Sequence, residues 1–343
     1  MIIEDLLKKS FDEGASDLLL SVGYPPLIRK FGELIKLSED TLKVDFVRQA
    51  VGALLKDNQK KRLDRDLQID FGYELKDVGR FRVNVFQERR GVGATFRTIS
   101  NKINSIEELD LPSQLKELCR CRQGLILVTG PTGSGKSTTL SALVNQINST
   151  LKKHIITLED PIEFIYEGDL SVIHQRELGT HMLSFADGLK GALREDPDII
   201  LVGELRDYDT ISLAMTAAET GHLIFGTLHT SSALKTINRI IDSFPENQQN
   251  QIKCQLSESL EAVIAQNLIR RVDKPGMVPI VEILINTPAV ANLIREGKNF
   301  QISSVIQTGL RYGMQSYEQS KINLIKREII APKEEQTVLP VEK

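Results

Sequence analysis

The 343-residue sequence predicts an α/β fold preceded by a smaller α+β domain. Four apolar runs of strand length, each followed by a helical stretch, occur within residues 114–287. Near-continuous apolar runs are typical of strands buried on both faces, and their alternation with helices indicates a parallel sheet. A glycine-rich segment directly follows the first run. Residues 1–98 instead mix short strand signals with a helical pattern, which indicates a separate domain.

The N-terminal domain, residues 1–98, contains several predicted elements. DLLLSV and PLIRKFGELIKL are predicted strands, the second near a sheet edge because of its prolines. The apolar spacing in DFVRQAVGALLKDNQKKRL is that of one helical face. RFRVNVF and GATFRTI are predicted to form a strand pair. This mixture predicts a small α+β domain.

The rest of the chain divides by composition into four parts. Residues 99–113 are polar and contain a proline, so they are the predicted linker. The α/β domain, residues 114–287, contains the runs GLILVTG, HIITLED, DIILVGE and HLIFGTLH. Residues 288–330 have a helical pattern, and residues 331–343 are a predicted flexible tail.

Composition excludes several classes of protein. A net charge of −3 and 41% hydrophobic residues are ordinary for a globular protein and give no basic footprint for nucleic acid. No apolar run approaches the roughly 20 residues that span a bilayer, and the acidic start has no signal-peptide pattern. The three cysteines form no CxxC pair, so neither a zinc site nor a disulfide framework is expected. The sequence therefore predicts a cytoplasmic protein with reduced thiols and no nucleic-acid partner.

The segment GPTGSGKS, residues 130–137, matches the phosphate-loop pattern G-x-x-x-x-G-K-[ST] between a predicted strand and a predicted helix. In such loops backbone N–H groups and a helix N-terminus surround phosphate oxygens. Lys136 is expected to reach the β- and γ-phosphates, and the Ser137 hydroxyl to bind Mg²⁺. The sequence therefore predicts a site for a nucleoside triphosphate. Its candidate phosphate-binding residues are Gly130, Thr132, Gly133, Ser134, Gly135, Lys136, Ser137 and Thr138.

Carboxylates follow two of the other predicted strands. Glu159, Asp160 and, one turn later, Glu163 follow HIITL, whereas Gly203 and Glu204 follow DIILV. Ligands of open α/β sheets lie at the carboxyl ends of the strands. Hydrolysis needs one acid that helps to hold Mg²⁺ and one that orients or deprotonates water, and Glu204 with Glu163 is the predicted pair. The alternative is that these carboxylates are solvated loop charges.

Two of the five histidines, His222 and His229, stand at opposite ends of the run LIFGTL. In a strand their backbones would lie roughly 23 Å apart, and their odd spacing would direct the side chains to opposite faces. One metal ion cannot bind both. His229, at the carboxyl end, is predicted to polarise the γ-phosphate, whereas His222 lies at the amino end.

Four segments together resemble the secretion ATPase superfamily of type II secretion systems and type IV pili. They are GPTGSGKSTTL, TLEDPIEF, LREDPDIILVGELRD and TGHLIFGTLHT, and they occur in the order of that superfamily. GASDLLLSVGYPPLIR, INTPAVANLIREGK and GMQSYEQS resemble its pilus-retraction branch. The similarity covers about residues 1–325.

The resemblance implies a PAS-like N-terminal domain followed by a RecA-like P-loop NTPase domain with a C-terminal helical segment. It implies a homohexameric ring that hydrolyses ATP with Mg²⁺ and powers pilus retraction and twitching motility. It assigns Arg82 and Arg97 to contact with the γ-phosphate, and functional roles to His222 and His229. It also implies an inner-membrane platform protein as partner, with the motor peripheral to that membrane at the pilus base, and a sister retraction ATPase as a further candidate partner.

The sequence departs from the pattern of this branch at two positions. Leu19 occupies a position that is commonly histidine, and Ala291 in AVANLIRE replaces the first arginine of the retraction motif. The second departure leaves an accessory retraction paralogue, or an ATP-binding regulatory subunit, as alternatives. A nucleic-acid translocase is a third alternative, which the balanced charge disfavours. The four-cysteine zinc subdomain usual in assembly ATPases is absent from the sequence, which argues against an extension or secretion motor.

Overall fold

The computed structural model describes residues 2–30, 32–99 and 102–332. The chain forms two compact units. The first contains residues 1–102 and 160–165, and the second contains residues 103–159 and 166–343. Within the described ranges, no helix is long and apolar enough to cross a membrane.

The first unit contains one antiparallel sheet of six strands in the order β3-β2-β1-β6-β5-β4. Its helices are α1 (Ile3–Asp12), α2 (Val44–Leu54) and α3 (Asp57–Asp66). Its strands are β1 (Asp17–Leu20), β2 (Leu27–Lys30), β3 (Glu33–Lys36), β4 (Gln68–Leu75), β5 (Gly79–Glu88) and β6 (Gly91–Ile99).

Strand alternation in β5 separates the core of the first unit from its polar face. Phe81, Val83 and Val85 are fully buried, and the alternate residues Arg80 and Arg82 are half-buried on the other face. β5 pairs with β6 in antiparallel register, which confirms the predicted strand pair.

The helical face predicted from the apolar spacing in DFVRQAVGALLKDNQKKRL is confirmed by α2, and a second helix, α3, covers the polar end of that stretch. The two residues between them, Leu55 and Lys56, are both extended, and Leu55 has φ −88° and ψ 133°. The apolar spacing that holds α2 against the core ends at Leu55, and the next residues are polar. After this break, α3 buries Leu63 in the same core.

The second unit contains a sheet of seven strands in the order β13-β12-β7-β11-β10-β8-β9. All neighbours are parallel except the edge pair β12–β13. The strands are β7 (Gly124–Thr129), β8 (His154–Glu159), β9 (Val172–Glu177), β10 (Ile199–Val202), β11 (Leu223–Leu228), β12 (Leu260–Arg270) and β13 (Met277–Ile285).

Helices of the second unit follow most of these strands, and the C-terminal region is helical as predicted. Two short 3₁₀ turns, Asn299–Gln301 and Leu310–Tyr312, lie among the last helices. The helices are α4 (Leu115–Leu118), α5 (Lys136–Thr150), α6 (Phe185–Ala192), α7 (Tyr208–Glu219), α8 (Ala233–Asp242), α9 (Glu246–Ser259), α10 (Pro288–Arg295), α11 (Ile302–Thr308) and α12 (Tyr317–Lys326).

Both faces of the large sheet are buried. Leu125 and Leu127 of β7 belong to one apolar core, and Ile126 and Val128 belong to the core on the opposite face. This double burial confirms the parallel sheet inferred from the four apolar runs. Strands β9, β12 and β13 were not among those runs.

The linker predicted over residues 99–113 is not a free connecting segment. From Ile103 to Glu159 the chain belongs to the second unit. Ile106 and Leu111 are buried in the core of that unit together with Leu115. Apolar side chains spaced among polar ones therefore anchor the segment. Residues 333–343 of the predicted tail lie outside the described residues.

Candidate nucleotide site

The glycine-rich segment joins the carboxyl end of β7 to the amino end of α5. Gly135 precedes the helix with a left-handed φ of 83°, which glycine adopts without strain. The Lys136 ammonium donates hydrogen bonds to the carbonyl oxygens of Gly130 at 2.8 Å and Pro131 at 3.0 Å. The lysine therefore lies against the start of the loop, where its charge adds to the positive end of the α5 dipole.

Several groups of this loop are available to phosphate oxygens. Within the described part of the chain, the backbone N–H groups of Thr132, Gly133 and Gly135 donate to no backbone carbonyl. Ser137 is exposed in the first turn of α5, and Thr138 beside it is half-buried. These N–H groups and the Ser137 hydroxyl could bind an anion, and phosphate binding by the loop stays a prediction.

A buried glutamine of β12, Gln266, supports the loop from behind. Its amide nitrogen donates to the Ser134 carbonyl oxygen at 2.6 Å, and its amide oxygen accepts from the Thr139 hydroxyl at 2.7 Å. The sequence interpretation missed this residue. The sequence feature that could have indicated it is a polar residue within the otherwise mostly apolar segment AVIAQNLI.

Glu204 and His229 come together at the carboxyl ends of neighbouring strands, β10 and β11. One Glu204 carboxylate oxygen lies 3.2 Å from His229 Nε2, and the other accepts a hydrogen bond from Arg206 Nε at 2.6 Å. Each residue was a separate candidate in the sequence. The parallel pairing of β10 with β11 explains why they meet, because consecutive parallel strands end at the same edge.

The position directly after β10 is usually aspartate in P-loop proteins, and here it is Gly203. Close packing explains why this position has no side chain. A Cβ atom at this position would lie 3.0 Å from the Leu158 carbonyl oxygen and 3.4 Å from Glu159 Cα. The Gly203 carbonyl oxygen accepts the Thr227 hydroxyl, and the Leu205 N–H donates to the Thr227 carbonyl oxygen at 3.0 Å. The backbone before and after Glu204 is thus fixed to its neighbouring strands.

The acidic residues after β8 belong to different units. Glu159 remains in the second unit, where it accepts hydrogen bonds from the Thr157 hydroxyl at 2.6 Å and the Gln175 amide at 3.2 Å. Asp160 and Glu163 belong to the first unit. The predicted acid pair Glu204 and Glu163 is therefore not formed within one unit.

Arg82 and Arg97 lie directly opposite each other on β5 and β6. Like charges at such positions repel. Arg97 donates to Asp17 at 3.1 Å, whereas Arg82 Nε lies 4.0 Å from Asp70 and its Nη1 lies 3.9 Å from Glu163. The two guanidinium groups therefore share one sheet face, each beside carboxylates, and the contact of Arg82 with Glu163 was not foreseen from the sequence.

His222 lies at the amino end of β11, as the sequence predicted. Its ring Nδ1 is 3.0 Å from the Ala217 carbonyl oxygen, and its own carbonyl oxygen accepts from the Gly124 N–H at 3.0 Å. Gly124 begins β7, whereas the phosphate loop follows its end. His222 is therefore at the opposite end of the sheet from that loop, and its catalytic role stays a prediction.

The parallel sheet, the loop between β7 and α5 and the acid after β10 define a P-loop NTPase with a RecA-like core. Residues 53–301 match the family described as "Type II/IV secretion system protein". Since the match covers more than half of the chain, this protein belongs to that family.

Characterised relatives extend over most of the chain. It is 52% identical over 307 residues to the twitching motility protein of Neisseria gonorrhoeae, covering 90% of this chain and 82% of the relative. It is 48% identical over 331 residues to the type IV pilus retraction ATPase PilT of Pseudomonas aeruginosa, covering 96% of each. A crystal structure of the pilus retraction motor PilT with bound ADP has a TM-score of 0.90 and 41% identity, covering 99% of this chain and 98% of that one. The chain is therefore an ATPase, and its substrate is a nucleotide.

Proposed function

We propose that this protein is a hexameric motor that couples ATP hydrolysis to retraction of type IV pili and so to twitching motility. The observation that carries the proposal is the identity of 48–52% to a retraction ATPase and a twitching motility protein over at least nine-tenths of the chain. The proposal also includes an inner-membrane platform protein as the partner and a position at the pilus base, peripheral to the membrane.

Hydrolysis depends on charge positioned around the terminal phosphate. We infer that Lys136 and the N–H groups of the loop bind the β- and γ-phosphates, because they carry the positive charge there. Glu204 activates or orients the attacking water, and His229 holds that carboxylate through their 3.2 Å contact. The Arg206 guanidinium donates to the other carboxylate oxygen at 2.6 Å and so fixes the orientation of the Glu204 carboxylate.

The residues present fit a Mg²⁺ ion carried with the nucleotide. Ser137 and Glu204 offer hydroxyl and carboxylate oxygen, the ligands that this ion prefers. No group of three or more histidine, cysteine, aspartate or glutamate residues among those described could hold a metal independently. Mg²⁺ would neutralise charge on the β- and γ-phosphates.

Arg82 and Arg97 are proposed as the cations that stabilise charge in the transition state. Their support is the resemblance, together with their paired position on one sheet face. An arginine in this role contributes roughly 10³–10⁵ in rate in other phosphoryl-transfer proteins. The exposed side chain of Arg97 and the loose ionic contacts of Arg82 leave both guanidinium groups able to bind an anion.

An accessory retraction motor is the second candidate, because Ala291 replaces an arginine of the retraction motif. Ala291 lies in α10 and is half-buried, so it is not simply an exposed surface position. In favour of the principal motor, identity to the retraction ATPase PilT of Pseudomonas aeruginosa is 48% over 331 residues, compared with 36% over 324 residues to the type IV pilus ATPase PilU of that organism. The principal motor is therefore preferred.

The enzymatic part is tested by ATP turnover of the purified protein against Glu204→Gln. The wild type should hydrolyse ATP only with Mg²⁺, and Glu204→Gln should reduce kcat by at least 100-fold (~2.7 kcal/mol) while leaving ADP binding within about threefold. Mass photometry should give a hexamer. Equal, near-zero turnover in both proteins would instead support an ATP-binding regulatory subunit.

The cellular part is tested in a deletion strain of the source bacterium complemented with wild type or Glu204→Gln. Excess surface pili with lost twitching, restored only by the wild type, is the expected result. Normal piliation and twitching in the deletion strain would overturn the principal-motor proposal and favour the accessory one. Ala291→Arg would then be expected to confer independent retraction.

A further inference from the structure

Strand β12 presents an apolar face to α5 until it reaches the phosphate loop. Ala262 and Ile264 lie in the core cluster that also contains Leu140 and Leu143 of α5. Gln266 is the next residue on that face, and it is only 1% exposed. Burying a primary amide is unfavourable unless its donors and acceptor are bonded, so the partners of this side chain explain its position.

Both ends of the Gln266 amide contact the nucleotide loop or its helix. The nitrogen donates to the Ser134 carbonyl oxygen at 2.6 Å, and the oxygen accepts from the Thr139 hydroxyl at 2.7 Å. A Cβ atom at Gly135 would lie 2.9 Å from the same amide nitrogen. The loop therefore lies close against this side chain, and the left-handed φ of 83° at position 135 favours glycine there.

The bond to Ser134 fixes the direction of one loop N–H group. In a trans peptide the carbonyl oxygen and the following N–H point in opposite directions. Because the Ser134 carbonyl is directed at Gln266, the Gly135 N–H is directed away from β12. That N–H has no backbone acceptor within the described part of the chain, so it is available to a phosphate oxygen.

We propose that Gln266 is a positioning residue for nucleotide binding, which orients the Ser134–Gly135 peptide while Thr139 holds its amide in place. Gln266 does not contact the nucleotide itself. It acts through the peptide group, and its bond to Thr139 couples the loop to the first turns of α5. The assignment rests on the ATPase activity of the family and does not depend on the pilus proposal.

Removing this support should weaken phosphate binding more than it slows the chemical step. A hydrogen bond to a charged group is typically worth about tenfold or more in affinity. The peptide contacts bound phosphate before and during hydrolysis, and loss of such uniform binding raises KM with little change in kcat. Gln266→Leu should therefore raise the Kd for a fluorescent ADP analogue and the KM for ATP by about tenfold or more, with kcat within about threefold.

Three further variants separate positioning from general loss of packing. Thr139→Val removes only the hydroxyl that holds the Gln266 amide oxygen and should raise the same Kd about threefold, whereas Thr139→Ser should restore it. Gln315→Leu is the matched control, since Gln315 is also buried and its amide donates to the Val281 carbonyl oxygen at 3.3 Å, away from the loop. Its Kd and KM should equal those of the wild type.

The proposal is overturned if folded Gln266→Leu binds the ADP analogue within twofold of the wild type, or if Gln315→Leu shifts Kd equally. It is also overturned if kcat falls and KM is unchanged. Should Gln266→Leu fail to fold, the comparison of Thr139→Val with Thr139→Ser decides. Equal Kd values in those two variants would refute the role, and a threefold loss restored by serine would support it.

Discussion

Asp110 connects three parts of the second unit that are distant in sequence. Replacing it provides a quantitative test of how much a buried carboxylate with two arginine partners stabilises that unit. Its carboxylate accepts a hydrogen bond from Arg271 at 2.5 Å and contacts Arg327 with its other oxygen. Arg271 also donates two bonds to Asp273, at 2.9 and 2.7 Å. The Asp110 side chain is 10% exposed, Arg271 6% and Arg327 55%. The segment before α4, the end of β12 and the end of α12 therefore meet at one carboxylate.

The substitution Asp110→Asn removes the charge without adding backbone strain. Asp110 has a left-handed φ of 55°, which asparagine tolerates as well as aspartate. A buried hydrogen bond between charged groups contributes about 1.5–3 kcal/mol, and the half-exposed Arg327 contact at most about 1. Arg271 keeps Asp273, and the amide oxygen recovers part of the loss. We expect the free energy of unfolding to fall by about 2–3 kcal/mol.

Scanning calorimetry of the full chain measures this effect. For a unit of this size the expected loss lowers Tm by about 4–12 °C. The matched control is Glu117→Gln, since Glu117 pairs with Arg120 at 3.0 Å but both side chains are about 70% exposed. That variant should change Tm by less than about 2 °C. Equal small shifts in the two variants would refute the argument that burial makes the Asp110 contacts strong.

The same carboxylate predicts a pH dependence. Burial would raise the pKa of Asp110, but the hydrogen bonds from Arg271 and Arg327 outweigh it and hold the pKa below the ordinary 3.8. A carboxylate with a depressed folded pKa stabilises above its unfolded pKa, and this contribution is lost as pH falls through the folded pKa. The Tm difference between wild type and Asp110→Asn should therefore stay constant from pH 5 to 8 and shrink below about pH 4.

The remaining predictions concern turnover, measured as ATP hydrolysis with binding of an ADP analogue as the control. Lys136→Ala should abolish hydrolysis because the phosphates lose their main cationic partner, and more than half the wild-type rate would contradict this. Arg82→Ala and Arg97→Ala should each retain ATP binding and lose at least 100-fold in kcat, and unchanged turnover in both would remove them from the mechanism. Arg97→Ala should also lower Tm, since it leaves the buried Asp17 carboxylate without its 3.1 Å partner. His229→Asn should reduce kcat at least tenfold, because the Glu204 carboxylate loses the partner of one of its two oxygens and keeps only Arg206 on the other. His222→Asn should have a smaller effect on kcat, and an equal loss would show that the amino end of β11 participates in hydrolysis.

The sequence by itself determined the features that depend on contiguous residues. The β7–loop–α5 unit is set by local glycines and by the apolar runs on either side, and the structure confirms its strand and helix. Glu204 and His229 were recognisable separately, since each follows an apolar run of strand length. In a parallel sheet such positions lie at one edge, which is why their chemistry was predictable before their contact was known.

Only the tertiary structure decided which distant residues meet. Gln266 bonds to Ser134 across 132 positions, and Asp110 to Arg271 across 161. Glu163 packs with the first unit beside Arg82, although it follows a strand of the second. Strand order and the pairing of remote segments arise from burial of whole faces, which is a property of the assembled sheet. A local pattern specifies which residues are buried or polar, but the partner of each buried polar group is chosen by the fold.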